Sequence, residues 1–124
     1  VTLTGFAGSW TPAVHNLSGS LVLASGMTLN ASTGNIAFTG GATNLTSAGK
    51  TIATNITATN SGTLALTDAA VISGSFYIDS GTTVSPGVSW TQSGQLTVLG
   101  SILQSASIIT ISNSVALSQG TIQN

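Results

Sequence analysis

The sequence NIAFTG at residues 35–40 recurs in altered form about every twenty residues. Its counterparts are NITATN at 55–60, SFYIDS at 75–80, QLTVLG at 95–100 and VALSQG at 115–120. Apolar residues occupy matching places in these segments, as Ile36, Ile56 and Phe76 illustrate. A fixed period of this size is typical of stacked repeat architectures. We therefore expect a rod or an extended surface more than a pocket built around one reactive side chain.

Three series of apolar residues follow this period, with steps mostly of 19 or 20 residues. The first series is Ile36, Ile56, Phe76, Leu96 and Val115. The second series is Val22, Leu45, Leu64, Val84, Ile102 and Ile122. The third series is Leu29, Ile52, Val71, Trp90 and Ile109. Each member lies in a short alternating run bounded by Gly, Asn or Ser, which predicts a strand between turns.

Three strands per turn of about twenty residues predict an all-β fold, a three-sided parallel β-solenoid whose series form inward ladders. Glycines between the runs predict corners at which the backbone adopts a positive φ. The alternative is an antiparallel β-sandwich or jelly roll, which also has many short strands but does not require recurrence at twenty residues. Residues 1–18 fit the repeat least and are predicted to be an atypical N-terminal cap, linker or contact arm, with solenoid repeats over 19–124. Because the chain starts at Val1, we expect a processed chain or a fragment of a longer one.

The composition excludes several classes of function. The chain is 41% hydrophobic and 2% charged, so it should fold, and its charged side chains are Lys50, Asp68 and Asp79. One lysine cannot neutralise a phosphate backbone, so no nucleic-acid partner is expected. No apolar run approaches the ~20 residues that span a bilayer, so no membrane insertion is expected. A nearly uncharged surface suits packing into a homo-oligomer, a trimer or a filament; the alternative is a hydroxyl-coated monomer.

Few residues offer catalytic or metal-binding chemistry. Asp68 and Asp79 are eleven residues apart, so a twenty-residue coil would place them on different sides or at adjacent corners, as exposed turn residues. His15 is the single histidine and is expected in an exposed loop. One His and no Cys exclude the usual zinc sets. We predict no catalytic, cofactor-binding or metal-ligating residue, no cofactor, and no enzymatic activity.

Aromatic residues supply the candidate contact sites. Phe76 and Tyr77 are adjacent and must point to opposite faces of a strand, so Phe76 is expected in the core and Tyr77 outside. Tyr77, Trp90 and Trp10 are therefore the candidate exposed contact residues, for subunits or for a cell-surface glycan.

The run from Gly34 to Ser101 also carries a family resemblance, chiefly in AGKTI (48–52), NITATNSGTLALTD (55–68) and SGTTVSPGVSW (80–90). It resembles Ser/Thr/Gly-rich β-solenoid repeats of bacteriophage tail fibres and other virion proteins, and of large bacterial surface adhesins. The resemblance implies an elongated protein, commonly trimeric in the viral cases. Some tailspikes cut polysaccharide with paired acidic residues, and this chain has no convincing pair.

These observations lead to one functional expectation and two alternatives. We expect a structural β-solenoid module of a phage virion appendage (fibre, spike or capsid decoration), acting in assembly, with host attachment as a further role. Its location would be the virion or the cell surface, and its partners other virion or surface proteins. The first alternative is a bacterial surface adhesin or extracellular filament subunit. The second is a carbohydrate-binding or carbohydrate-cleaving solenoid.

Overall fold

The computed structural model describes residues 1–59, 61–105 and 107–123 and confirms the predicted three-sided parallel β-solenoid. Strands pair with strands about one period away, and every pairing in these residues is parallel. The alternative of an antiparallel sandwich or jelly roll is therefore wrong. Across the same ranges the secondary structure is strand and turn, and no helix is long and apolar enough to cross a membrane.

Three stacked sheets form the sides of the rod. Sheet 1 contains β2 (Val14–Leu17), β5 (Asn35–Phe38), β8 (Asn55–Ala58), β11 (Phe76–Ile78), β14 (Leu96–Val98) and β17 (Val115–Leu117). Sheet 2 contains β3 (Leu21–Val22), β6 (Ala42–Thr46), β9 (Thr63–Leu66), β12 (Thr83–Pro86), β15 (Ser101–Leu103) and β18 (Thr121–Gln123). Sheet 3 contains β7 (Thr51–Ile52), β10 (Ala70–Ile72), β13 (Ser89–Gln92) and β16 (Ile108–Ile111). A short fourth sheet pairs β1 (Ser9–Trp10) with β4 (Thr28–Leu29).

The first predicted ladder is confirmed in sheet 1. Its five members are consecutive register partners: Ile36, Ile56, Phe76, Leu96 and Val115. Backbone bonds run between coils along the rod, as where the N–H of Ile56 donates to the carbonyl of Ser75 at 2.8 Å. The first four members are almost completely buried, whereas Val115 is 39% exposed because no described coil covers it.

The second and third predicted series are correct in part. In sheet 2 the series from Leu64 through Val84 and Ile102 to Ile122 is in register. Leu45, however, pairs with Leu66 and Leu21, so it belongs to a neighbouring inward row. The remaining predicted member, Val22, is half-buried and pairs with Thr46.

The third predicted series does not form a single row. Leu29 lies in the fourth sheet, and Val71 is exposed. Ile52 and Trp90 lie in different rows of sheet 3, because Trp90 pairs with Ala70. The buried partner of Ile52 is Ile72. A shift of one residue moves a side chain to the opposite face of a strand. Because the steps within the series vary by a residue or two, counting along the sequence does not determine which face each member occupies.

The predicted positive φ is found at some corner glycines, and others have a different role. Among the described glycines, only Gly5, Gly49 and Gly81 have a positive φ. At the corner before sheet 1, a Cβ on Gly94 would overlap the carbonyl oxygen of Gly74 in the preceding coil. Here glycine is required because consecutive backbones approach closely, which is a second physical reason for glycine at a turn.

Part of the segment 1–18 pairs with the strands that follow it. Within the segment 1–18, β2 forms the first strand of sheet 1 and pairs with β5. Thr2 bridges to Val22, and Ser9–Trp10 pairs with Thr28–Leu29. Residues 1–17 therefore run along the same sides as the later coils, and we call them the first coil. Residues 107–123, which hold β16, β17 and β18, are called the last coil.

Two leucines in sheet 1 test how burial along the rod determines stability. Leu96 is 0% exposed, whereas Leu117 in the last coil is 56% exposed. Leu96→Ala should lower the free energy of unfolding by about 2–5 kcal/mol, because it opens a cavity in close-packed surroundings. The matched control Leu117→Ala should cost only about 0.5 kcal/mol. Urea unfolding of dilute protein measures both, and equal losses would contradict the described core.

Candidate functional site

Asp68 is half-buried and stabilises a corner of the rod, whereas the sequence predicted an exposed turn residue. Its carboxylate accepts hydrogen bonds from the backbone N–H of Ser47 at 2.8 Å and of Ala48 at 2.7 Å. The hydroxyl of Ser47 also donates to it, at 3.0 Å. Ser47 is completely buried and Asp68 half-buried, so the carboxylate in one coil holds a corner of the preceding coil.

Asp79 lies at a different corner from Asp68. Asp68 follows β9 and precedes β10, between sheets 2 and 3, whereas Asp79 follows β11 and precedes β12, between sheets 1 and 2. This agrees with the expectation that the two lie on different sides or at adjacent corners. Oδ1 of Asp79 accepts from the N–H of Ser80 at 2.8 Å and from the hydroxyl of Tyr77 at 3.4 Å. Each carboxylate therefore accepts hydrogen bonds at its own corner of the rod.

His15 is not in an exposed loop, as the sequence suggested, but in strand β2. It is half-buried, because its register partner Ile36 belongs to the inward ladder of sheet 1. Its ring centroid lies 5.5 Å from that of Trp10, and its Nε2 accepts from the N–H of Ala13 at 3.3 Å. Within the described residues no three His, Asp or Glu side chains group so as to hold a metal ion.

The three candidate contact residues differ in exposure. Tyr77 is 37% exposed, as the alternation along β11 predicts. Trp10 is half-buried and packs against the core. Trp90 as an exposed contact residue is wrong, because it is 0% exposed.

Two neighbours explain the burial of Trp90. It sits in register above the small Ala70, which leaves space inside the rod for an indole ring. It meets Phe76 edge-on, with ring centroids 5.3 Å apart, in a geometry that aromatic pairs favour. The sequence feature that indicates burial of Trp90 is its place in the third apolar series. The choice of Trp90 as an exposed contact residue did not take this feature into account.

The outer faces of the rod include rows rich in neutral polar residues, interrupted by exposed apolar side chains such as Val71 and Leu103. One row of sheet 2 runs from Ala42 through Thr63, Thr83 and Ser101 to Thr121. Hydroxyls pair between coils, as between Thr83 and Ser101 at 2.8 Å, which adds a modest cross-strand contribution.

The last coil presents an apolar end face. Val115, Leu117 and Ile122 continue inward rows whose preceding members, Leu96, Val98 and Ile102, are completely buried. In the described chain β16, β17 and β18 each pair with a strand on one side only. The sequence predicts exposed sheet edges at the ends of such a rod, which caps, neighbouring subunits or further domains are expected to cover.

The first coil presents a concave apolar surface at the other end. It encloses a recess of about 250 Å³. The lining includes Val1, Leu3, Phe6, Trp10, His15 and Leu17. Among the described residues, exposed apolar side chains therefore occur in both the first and the last coil.

No protein-family model, curated protein or solved structure matches this chain.

Removing the Asp68 carboxylate tests its structural role. Asp68→Ala should lower the free energy of unfolding by about 1–3 kcal/mol, because it leaves the donors of buried Ser47 and half-buried Ala48 without their acceptor. The control Asp79→Ala should cost within about 1 kcal/mol, since its strongest donor, the N–H of Ser80, is exposed to water. Urea unfolding measures both, and a larger loss for Asp79→Ala would contradict this assignment.

The two tryptophans should differ in solvent access. Trp10→Phe leaves Trp90 as the emitter, and its fluorescence should be blue-shifted and resist acrylamide quenching. Trp90→Phe leaves Trp10, which should be quenched several-fold more strongly because its ring borders the recess. Circular dichroism checks that both variants keep their strands. Equal quenching in two folded variants would contradict the burial of Trp90.

Proposed function

We propose that this chain is a non-enzymatic structural protein, a β-solenoid module of a phage virion appendage such as a fibre, spike or capsid decoration. The observation that carries the proposal is the continuous apolar core, in which inward rows run from coil to coil through the whole described rod. Most of the large apolar side chains of the middle coils lie in this core, and the Asp68 carboxylate stabilises one of its corners. The resemblance of residues 34–101 to virion repeats supplies the viral context.

The mechanism of such a module is mechanical. Backbone hydrogen bonds run parallel to the rod axis, so a load along the axis is shared among three sheets. Apolar rows exclude water from the interior, and each coil buries the surface of the next. A rod of this kind spaces and orients other parts of an assembly without any reacting group.

The placement of polar side chains supports the non-enzymatic part of the proposal. Asp68 binds the corner of the preceding coil, and Asp79 binds the start of its own turn. General acid–base catalysis by carboxylates needs groups positioned at one reacting centre. In this chain the two carboxylates serve separate corners.

Immunogold electron microscopy tests the proposal. An antibody raised against the purified chain should label a virion appendage in cultures of the source organism, and antibody pre-absorbed with the chain should not label it. Labelling of the bacterial envelope instead would overturn the virion assignment in favour of an adhesin.

A separate assay tests the absence of catalysis. Purified chain should release no reducing sugar from host surface polysaccharide above the level seen with the Asp68→Ala and Asp79→Ala variants. Release that depends on either carboxylate would overturn the non-enzymatic assignment, whatever the antibody labels.

A further inference from the structure

We propose that the interior of the rod binds one ordered water molecule, held between the indole N–H of Trp90 and the side-chain carbonyl oxygen of Gln92. The inference goes beyond the proposed function and does not rest on it. Three features of the described chain support it: a polar residue in an apolar row, two buried polar atoms without partners, and contacts that direct both side chains to one corner.

Gln92 is a polar residue in an otherwise apolar inward row of sheet 3. The row passes from Ile52 through Ile72 to Gln92 and Ile111. Gln92 is 0% exposed and lies in β13, which pairs with β10 on one side and β16 on the other. Neighbouring coils therefore cover it on both sides. A side-chain amide in such a place is unfavourable unless its hydrogen-bonding groups have partners.

The amide of Gln92 has a partner for its nitrogen. Nε2 donates to the backbone carbonyl of Gly74 at 2.8 Å. Because that carbonyl is an acceptor, the amide nitrogen must face it, and Oε1 must therefore point away from it. Among the described residues no group donates a hydrogen bond to Oε1. A buried acceptor without a donor loses its hydration and gains nothing in return.

Trp90 supplies the complementary group. It is completely buried, and its Nε1–H, which can only donate, has no acceptor in the part of the chain that the structure describes. Trp90 and Gln92 both point inward from β13. An unpartnered donor and an unpartnered acceptor therefore occupy neighbouring positions on one face of a strand, at a spacing of about 6.6 Å along it.

Contacts with one short segment bring the two side chains together. Gln92 reaches Gly74 at the corner before β11. Trp90 meets Phe76, two residues later, with ring centroids 5.3 Å apart. Gly74 and Ala70, the register partner of Trp90, have no side chain beyond Cβ to fill the surrounding space. The indole and the amide therefore converge on the same corner of the rod.

One water molecule completes the bonds of both groups. It accepts from the indole N–H of Trp90 and donates to Oε1 of Gln92. Its second hydrogen is available to the carbonyl of Gly74, which has a second lone pair. Three hydrogen bonds to protein are typical of a buried water. A bridging water thus gives both unpartnered atoms a partner at little cost.

NMR spectroscopy of the Trp10→Phe variant tests the inference, because Trp90 then carries the single indole N–H of the chain. A water held in the core should give NOESY and ROESY cross-peaks between the water resonance and the indole proton, with the signs of a long-lived contact. The indole proton itself should exchange slowly with deuterium. Gln92→Met in this background removes the acceptor and keeps an unbranched side chain. The matched control Gln95→Met makes the same change at an exposed position near the same corner.

The cross-peak should be present in the Trp10→Phe chain, lost in Gln92→Met and retained in Gln95→Met. Urea unfolding gives a second readout. The effects of Trp90→Phe and Gln92→Met on the unfolding equilibrium constant should be non-additive by about fivefold, because either change removes the same water. Circular dichroism checks that each variant keeps its strands.

Three results would overturn the inference. They are a protected indole proton without a water cross-peak, a cross-peak that persists in folded Gln92→Met, and additive effects of Trp90→Phe and Gln92→Met. The first would indicate a dry core or a direct bond between the two side chains. That measurement needs no substitution at either position, so it decides the question even if Gln92→Met does not fold. None of these outcomes bears on immunogold labelling of a virion, so the proposed function is tested independently.

Discussion

Parallel backbone hydrogen bonding between successive coils is the constraint on which the rest of this structure depends. Each strand donates to and accepts from strands one period away, so every residue faces its counterpart in the next coil at a spacing of about 4.8 Å. Inward positions then stack apolar on apolar, as from Ile56 to Phe76 and Leu96. The requirement is local and repeated, which explains why a chain without charge networks or disulfides still forms an ordered rod.

The same spacing accounts for the composition of the outer faces. A charge repeated in a row would lie beside a like charge in the next coil, and like charges in directly paired positions are destabilising. Neutral hydroxyls avoid this repulsion and pair with one another, as Thr83 and Ser101 do. The spacing also leaves no room for a Cβ at corners such as Gly94. Where a carboxylate is present, at Asp68, it satisfies the buried backbone of the adjoining corner.

Burial differs between the middle coils and the first and last coils of the described chain. The middle coils use both of their surfaces, whereas the first and last coils each have one surface uncovered in the described chain. Exposed apolar side chains are present there and also on the sides of the middle coils, for example Val71 and Leu103, beside rows of hydroxyl-bearing residues. Burial of an inward side chain in this fold therefore depends on a neighbouring coil on each side of it.

The sequence by itself determined the period, the three-sided solenoid and the first inward ladder, because these depend on spacing that can be counted. It also determined the outward direction of Tyr77, which follows from alternation along a single strand. Only the tertiary structure decided which face of a strand a side chain occupies and which residues lie beside it. Val71 points outward, and Trp90 is buried over Ala70. The tertiary structure also decided that the row ending at Leu117 is uncovered, because exposure depends on which coil lies next to a residue in space.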